Sequence, residues 1–415
     1  MIRHLFFFAA CANALAGDWP QFRGPAGDGH SPAKNVPTEW SKTSNIAWRV
    51  EPPGKGWSSP VVVDGCIYLT AAVPLSGEDN DSADRSLRVM CLEARSGAMI
   101  WNEEVFPQPS ASSPKGLHKK NGHASPTPVV QDGRIYLHFG HQGSACFTTA
   151  GKKVWENRSF KYEPQHGGGS SPVIVGDRMV FSCDGRDHQF VLALKTKTGE
   201  IAWNFKRATE ARSKFAFCTA GVITVNGKPQ IISPGADVVN ALDPYDGKEI
   251  WHARYEGYSI VPKPVFGDGM VYISSSFDSP EVLAIDPTGT GDVTDTHVKW
   301  VESKYAPMTP SMLFDNGLLY MVTDAGIICC REAKSGNKLW ESDRILGGVS
   351  ASPVLAEGRI YVLDERGTCA ILAAGREYKL LGKATLEGER TLASIAVDDN
   401  TIYLRSESAL YCIRK

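Results

Sequence analysis

The chain has 415 residues, with 44 Lys and Arg against 46 Asp and Glu, a formal charge of −2 and 42% hydrophobic residues. That is an ordinary soluble globular composition, and nothing in the charge balance points to a nucleic-acid partner. So long a chain predicts two or three domains, unless it grows by repeating a unit instead of enlarging one core.

The N-terminus opens with Arg3 and His4, runs through an apolar stretch from Leu5 to Ala12, and reaches the small-residue pattern Ala14-Leu15-Ala16 before Gly17. This predicts a secretory signal peptide over 1–16, cut after Ala16, and a periplasmic or secreted address. A lipoprotein anchored through Cys11 is the alternative; against it, Phe8 stands where Leu is usual and the apolar run ahead of Cys11 is short. No later segment approaches the ~20 apolar residues of a membrane span. Residues 17–44 form a Pro/Gly-rich extension containing DWPQFRGPAGDG, unsuited to regular structure. Trp19 and Phe22 are expected to pin it across one face of the fold, with Arg23 left to pair or cap.

From residue 45 onward the chain repeats itself. Asn45 to Val50 reads as a lone strand carrying Trp48. Then come apolar runs broken by a tight Gly/Asp turn, such as PVVVDGCIYL from Pro60, PVVQDGRIYL from Pro128 and PVLAEGRIYVL from Pro353. Each is two strands and a hairpin turn. Behind these hairpins a Gly is followed four residues later by Trp, at Trp101, Trp155, Trp203, Trp251 and Trp340, and Trp300 holds the equivalent place in a more divergent copy. AGVITVNGKPQIIS and ASIAVDDNTIYLR complete eight copies, spaced roughly forty residues apart except for a longer first interval. Four short strands per copy without helical periodicity predict an all-β fold, an eight-bladed β-propeller forming a single domain over 45–415. The last copy supplies only three strands, so residues 45–50 are expected to close the eighth blade and remove the open sheet edges.

The phrases ALKTKTGEIAW and ALDPYDGKEIW resemble the tryptophan-docking repeat of the PQQ-like β-propellers over nearly all of the mature chain. That superfamily includes the quinoprotein dehydrogenases and the propeller lipoprotein of the outer-membrane β-barrel assembly machinery. DWPQFRGPAGDG with HKKNGHASPTP looks like a secreted bacterial branch of it. The resemblance implies either a binding scaffold or a quinone-dependent oxidoreductase.

The adjacent Cys329 and Cys330 bear on that choice, because quinoprotein alcohol dehydrogenases close such a pair into a disulfide against their cofactor. Aligned on the repeat glycines, however, Cys330 falls six residues before Gly336, where other copies place Cys91, Ala193, Ala241 and Cys369. This is a slot for a small residue packed between sheets. Strand alternation sends Cys329 to the other face, and a disulfide between the two would need strained geometry. None of the ten tryptophans is followed by Asp, so the catalytic Trp-Asp motif of the dehydrogenases is missing, and neither PQQ nor Ca²⁺ is predicted as a cofactor.

Six of the ten histidines lie between 118 and 188; of these His138 and His141 are the weak metal candidates, and no metal site is assigned. The acidic loop from Ser76 to Ser86, with Glu78, Asp79, Asp81 and Asp84, lacks the Gly and distal Glu of a Ca²⁺ loop and reads as a solvated hairpin tip. No nucleophile elbow, H-E-x-x-H or phosphate loop occurs, and no catalytic residue is assigned. The segments leading into the innermost strands converge on one rim of the channel. They carry Lys55, Trp57, His123, His166, Lys214, Phe215, Tyr258, Tyr305 and Arg390, the candidate ligand-binding residues. The expected function is a monomeric binding or scaffold module of the cell envelope that takes a protein or carbohydrate ligand. The alternative is an oxidoreductase with quinone or metal at the rim near His123, His166 and Lys214.

Overall fold

The turns of the repeated hairpins place two consecutive residues in the left-handed region, as at Asp64 and Gly65 (φ 50° and 70°) or Asn316 and Gly317 (φ 48° and 76°). This is the turn whose twist matches two right-twisted strands, which is why Asp-Gly and Asn-Gly recur in the sequence. A computed structural model describes residues 17–76, 79–80, 83–114 and 116–415. The expected signal peptide, Cys11, Glu78 and Asp81 lie outside them. The described residues form eight sheets arranged as the blades of a propeller, each built on four antiparallel strands in meander order, and two of them gain a short parallel fifth strand. Blade 1 comprises Val61–Val63, Cys66–Pro74, Arg85–Glu93 and Met99–Gln108. Blade 8 has three strands from the end of the chain, Ala396–Asp398, Thr401–Arg405 and Leu410–Ile413. Its fourth is Ile46–Val50, antiparallel to Leu410–Ile413 with Trp48 opposite Cys412.

The outer-strand tryptophans join neighbouring blades. The indole N–H of Trp48 donates to Ala94 O at 3.1 Å, that of Trp155 to Thr196 O at 2.8 Å and that of Trp203 to Pro244 O at 2.8 Å. Trp101, Trp300 and Trp340 repeat the pattern toward Thr149, Ala333 and Gly375. In each case the acceptor belongs to the next blade. The repeat glycine of that blade lies flat against the ring, so a Cβ on Gly199 would sit 2.4 Å from Trp155 and one on Gly247 2.6 Å from Trp203. Trp251 differs: it donates to Gln230 Oε1 at 3.1 Å, and an added parallel strand, Gly291–Asp292, covers it.

Strand pairing puts small residues opposite these tryptophans, with Cys91 facing Trp101, Ala193 facing Trp203, Ala284 facing Trp300 and Cys330 facing Trp340. Blade 7 corrects the alignment. Its pair in this place is Ile371 and Gly382, while Cys369 faces Ala384 two residues away. Large and small residues have changed sides there. Trp40, from the N-terminal extension, is buried in the same cluster as Ile371 and Ala384. Cys330 faces the core between blades 6 and 7, whereas Cys329 faces the core between blades 5 and 6. Both thiols are free and fully buried, and burial pushes them up, Cys329 to about 11 and Cys330 to about 12.

Residues 17–31 run across the end of the channel opposite the rim. Trp19 exchanges backbone bonds with Val62 of blade 1, and Pro20 O accepts from Val130 of blade 2. Arg23, 1% exposed, caps Met312 O at 2.6 Å on the far side, and Gly29 O accepts from Leu355 of blade 7. His30–Ser31 then adds a parallel strand to that blade. Pinning by Trp19 and capping by Arg23 follow from the sequence; the reach across the axis does not.

Two substitutions separate the docking contact from backbone strain. Gly65 and Gly199 share a positive φ (70° and 73°), but the space beside Gly65 is open. Gly65→Ala is expected to cost about 1–2 kcal/mol and Gly199→Ala about 3 kcal/mol or more, read by urea unfolding. The extension also carries a charge conflict: burial, then the charges of Asp399 and Asp18, push the Asp398 carboxyl up to about 7. An acid with a raised folded pKa loses stability as pH climbs from its ordinary value through the folded one. Asp398→Asn is therefore expected to raise the unfolding midpoint at pH 8 and to leave it unchanged near pH 3.

Candidate functional site

Two residues before the first strand of each blade, the chain turns toward the axis, and in seven of the eight blades a hydroxyl stands there. These hydroxyls form a belt: Ser59 N–H donates to Thr127 Oγ1 at 2.9 Å, Thr127 to Ser171 at 2.9 Å and Ser171 to Thr219 at 2.9 Å. After a break at Thr219 it resumes, with Lys263 N–H donating to Ser311 at 3.0 Å, Ser311 to Ser352 at 3.0 Å and Ser352 to Ser394 at 2.8 Å. Lys263 takes the eighth place; its ammonium points away to Gly27 O at 2.7 Å. Burial pulls that ammonium down to about 8. Phe22, from the crossing N-terminal segment, forms the floor, so the channel is a cup of about 350 Å³ open at one rim.

The wall of this cup is lopsided. Phe215 has its ring 5.6 Å from His166, 5.4 Å from Tyr258 and 5.8 Å from Phe217, the first two edge-on. Trp57 and His118 continue this aromatic side, while Thr309, Ser350, Ala393 and Ser394 leave the side formed by blades 6 to 8 small. The loop from Gly116 to Gly122 leans over the mouth. Lys120 pairs with Glu365 of blade 7 at 2.7 Å, and Arg390 of blade 8 donates to Lys119 O. Asn121 Nδ2 donates to His166 O at 2.9 Å. Burial, then the neighbouring His166, holds His118 below the ordinary imidazole value.

Of the nine candidate rim residues, Trp57, His166, Phe215 and Tyr258 line the cup. Lys55, His123 and Arg390 line a side pocket beside it, where Lys55 pairs with Asp79 at 3.1 Å and Arg390 lies over the Trp57 ring at 5.3 Å. Asp79 is thus part of an ion pair, a correction to its reading as a solvated tip. Two candidates fall elsewhere. Lys214 is exposed and lines neither space, whereas its neighbour Phe215 lines the cup. Tyr305 sits at φ 68° and packs outward against the core between blades 5 and 6, with Lys304 over its ring. Asn121, Phe217, Phe277 and the hydroxyl belt are missing from the sequence reading, which placed Phe22 as a pin across one face and His118 only within the histidine cluster. The belt had a signal, in the Ser or Thr before Pro60, Pro128, Pro172 and Pro353.

His138 and His141 do not converge. His138 stacks on Phe181 at 4.0 Å and shares a hydrogen bond with Ser144 at 2.9 Å, while His141 turns to Ser112 O at 2.7 Å. Among the described residues no group of three His, Cys, Asp or Glu is placed to hold a metal ion. The cup fits a quinone and Ca²⁺ poorly: its described lining has no carboxylate, and the cation needs several anionic oxygens. Cys329 and Cys330 also face inter-blade cores.

A family profile described as outer membrane protein assembly factor BamB matches residues 42–204, 85–342 and 187–415. The chain belongs to this family. BamB of Yersinia pestis is 24% identical over 246 residues, which cover 54% of this chain and 58% of the relative, so the match spans little more than half of that protein. Among solved structures, BamB from Moraxella catarrhalis superposes with a TM-score of 0.62 at 15% identity, covering 89% of this chain and 97% of that one. A europium-containing methanol dehydrogenase superposes with a TM-score of 0.64 at 12% identity, covering 94% and 89%. At these identities both likenesses show the propeller fold alone.

The buried imidazole gives a pH test. Burial, then His141, pulls His138 down to about 3. Its unfolded form takes up a proton near pH 6.5 and the folded form does not, so stability falls with pH through that window. His138→Phe is expected to remove a loss of about 1.4 kcal/mol per pH unit between pH 6 and pH 4, measured as the difference between wild-type and variant unfolding free energies.

Proposed function

We propose that the protein is a binding module of the bacterial cell envelope that holds an envelope component at the cup and acts without catalysing a reaction. The observation that carries this reading is the blind cup: an aromatic wall and a hydroxyl belt above the Phe22 floor, with no described carboxylate pair, nucleophile and base, or metal-ligand group. Membership of the BamB family supports an envelope role, and the secretory N-terminus read from the sequence supports a periplasmic or secreted address. Propellers carry both enzymes and scaffolds, so the cup has to decide.

The test is sedimentation of the purified mature chain with isolated cell envelopes. Wild type is expected to co-sediment, and Phe215→Ala to remain in the supernatant with an unchanged near-ultraviolet dichroism spectrum. Equal retention of the two would overturn a role for the cup. Calorimetric titration with PQQ and Ca²⁺ is expected to show no heat of binding. Stoichiometric uptake lost on His166→Ala would reinstate an oxidoreductase.

A further inference from the structure

Resting on the binding reading above, we propose that the ligand of the cup is a neutral sugar, one or two pyranose rings at the end of a glycan. The hydrogen-bonding state of the belt is the first reason. Each of the six belt hydroxyls that accepts a neighbouring backbone N–H keeps its own O–H proton. Only Ser352 spends that proton on a described protein group, Ser311 Oγ at 3.0 Å. Thr127, Ser171, Thr219, Ser311 and Ser394 thus line the cup above its floor as donors seeking acceptors. A pyranose carries several hydroxyl oxygens along one edge, which gives these donors acceptors to reach.

The second reason is the lopsided wall. A pyranose has apolar C–H faces and a polar edge, so a ring standing upright would lay one face on Phe215 and Tyr258 and turn its edge to the belt. The small residues at Thr309, Ser350 and Ala393 leave room for that upright ring. The cup volume lies at the lower end of small-ligand sites, enough for one or two rings and not for a folded partner.

Charge and backbone chemistry narrow the class further. The described basic groups on the lining are His118, His166 and Lys120, and no acidic side chain joins them. Lys120 is paired with Glu365 at 2.7 Å, and the lining residues include no other lysine or arginine, so no unpaired fixed cation awaits an acidic ligand. A peptide would ask for main-chain partners, but six of the eight belt N–H groups are already bonded to neighbouring hydroxyls, which leaves no continuous ladder to extend.

Saturation-transfer NMR on the mature chain tests this, with cellobiose, maltose, mannobiose and N,N′-diacetylchitobiose as neutral probes. Glucuronic acid and the tripeptide Gly-Phe-Gly serve as the acidic and peptide probes. At least one neutral disaccharide is expected to receive saturation at its ring C–H protons at millimolar concentration. Phe215→Leu, which keeps the bulk and removes the π face, is expected to weaken it about tenfold. Ser394→Ala is expected to weaken it too, and the pair keeps the test open should one variant misfold. Silence from all four sugars, or transfer to the tripeptide alone, overturns the sugar assignment. If envelope retention still depends on Phe215, only the ligand class has failed; if retention is also indifferent to Phe215, the binding reading fails with it.

Discussion

Six of the seven docking tryptophans each belong to one blade and are satisfied by the next, and the geometry of the axis depends on that handover. A buried indole needs both a partner for its N–H and a flat surface for its ring. The carbonyl and the positive-φ glycine of the neighbouring turn supply the two together, as Thr196 and Gly199 do for Trp155. No blade can satisfy its own tryptophan in this way. Six handovers of this kind fix the spacing of the blades at the outer wall, and the hydroxyl belt fixes it again at the inner one. Between these two rings of polar contacts the strands are buried on both faces.

This division explains which features were legible in the sequence. Turn chemistry and the Gly-to-Trp interval depend on neighbours a few residues away, so the hairpins, the docking positions and the closing strand with Trp48 could be placed from the residues alone. Failures arose where side-chain direction rested on one residue of register. Lys214 and Phe215 are adjacent and point apart, and the left-handed backbone at Tyr305 turns its ring outward. Blade 7 misled for a different reason: its pair is Ile371 and Gly382, without a tryptophan, and Trp40 of the N-terminal extension is buried in that cluster, so the sequence mark is erased. The floor at Phe22 and the reach of Lys120 to Glu365 join residues far apart in the chain, and no local pattern announces them.

Solved structures of a BamB and of a methanol dehydrogenase share this fold, so the fold alone does not choose a function. Here the lining is hydroxyl, aromatic and imidazole. Fixed charges at the mouth are drawn into pairs with one another, Lys55 with Asp79 and Arg390 with Glu407. The two cations beneath the floor, Arg23 and Lys263, are turned onto backbone carbonyls of the crossing segment and its surroundings. Charge is thus used to fasten the cup, and its interior is left to neutral contacts.

Lys263 has a consequence of its own. The crossing segment is tied by its chain to the closing strand of blade 8 and by backbone bonds to Val62, Val130 and Leu355, so its direction across the ring is set. Lys263 adds to that setting, because its ammonium reaches a carbonyl of the crossing segment from a single blade. The propeller thereby acquires a zero of angle. The aromatic wall, the leaning loop and the floor keep a constant phase relative to one another, which lets a nearly symmetric ring present an asymmetric face.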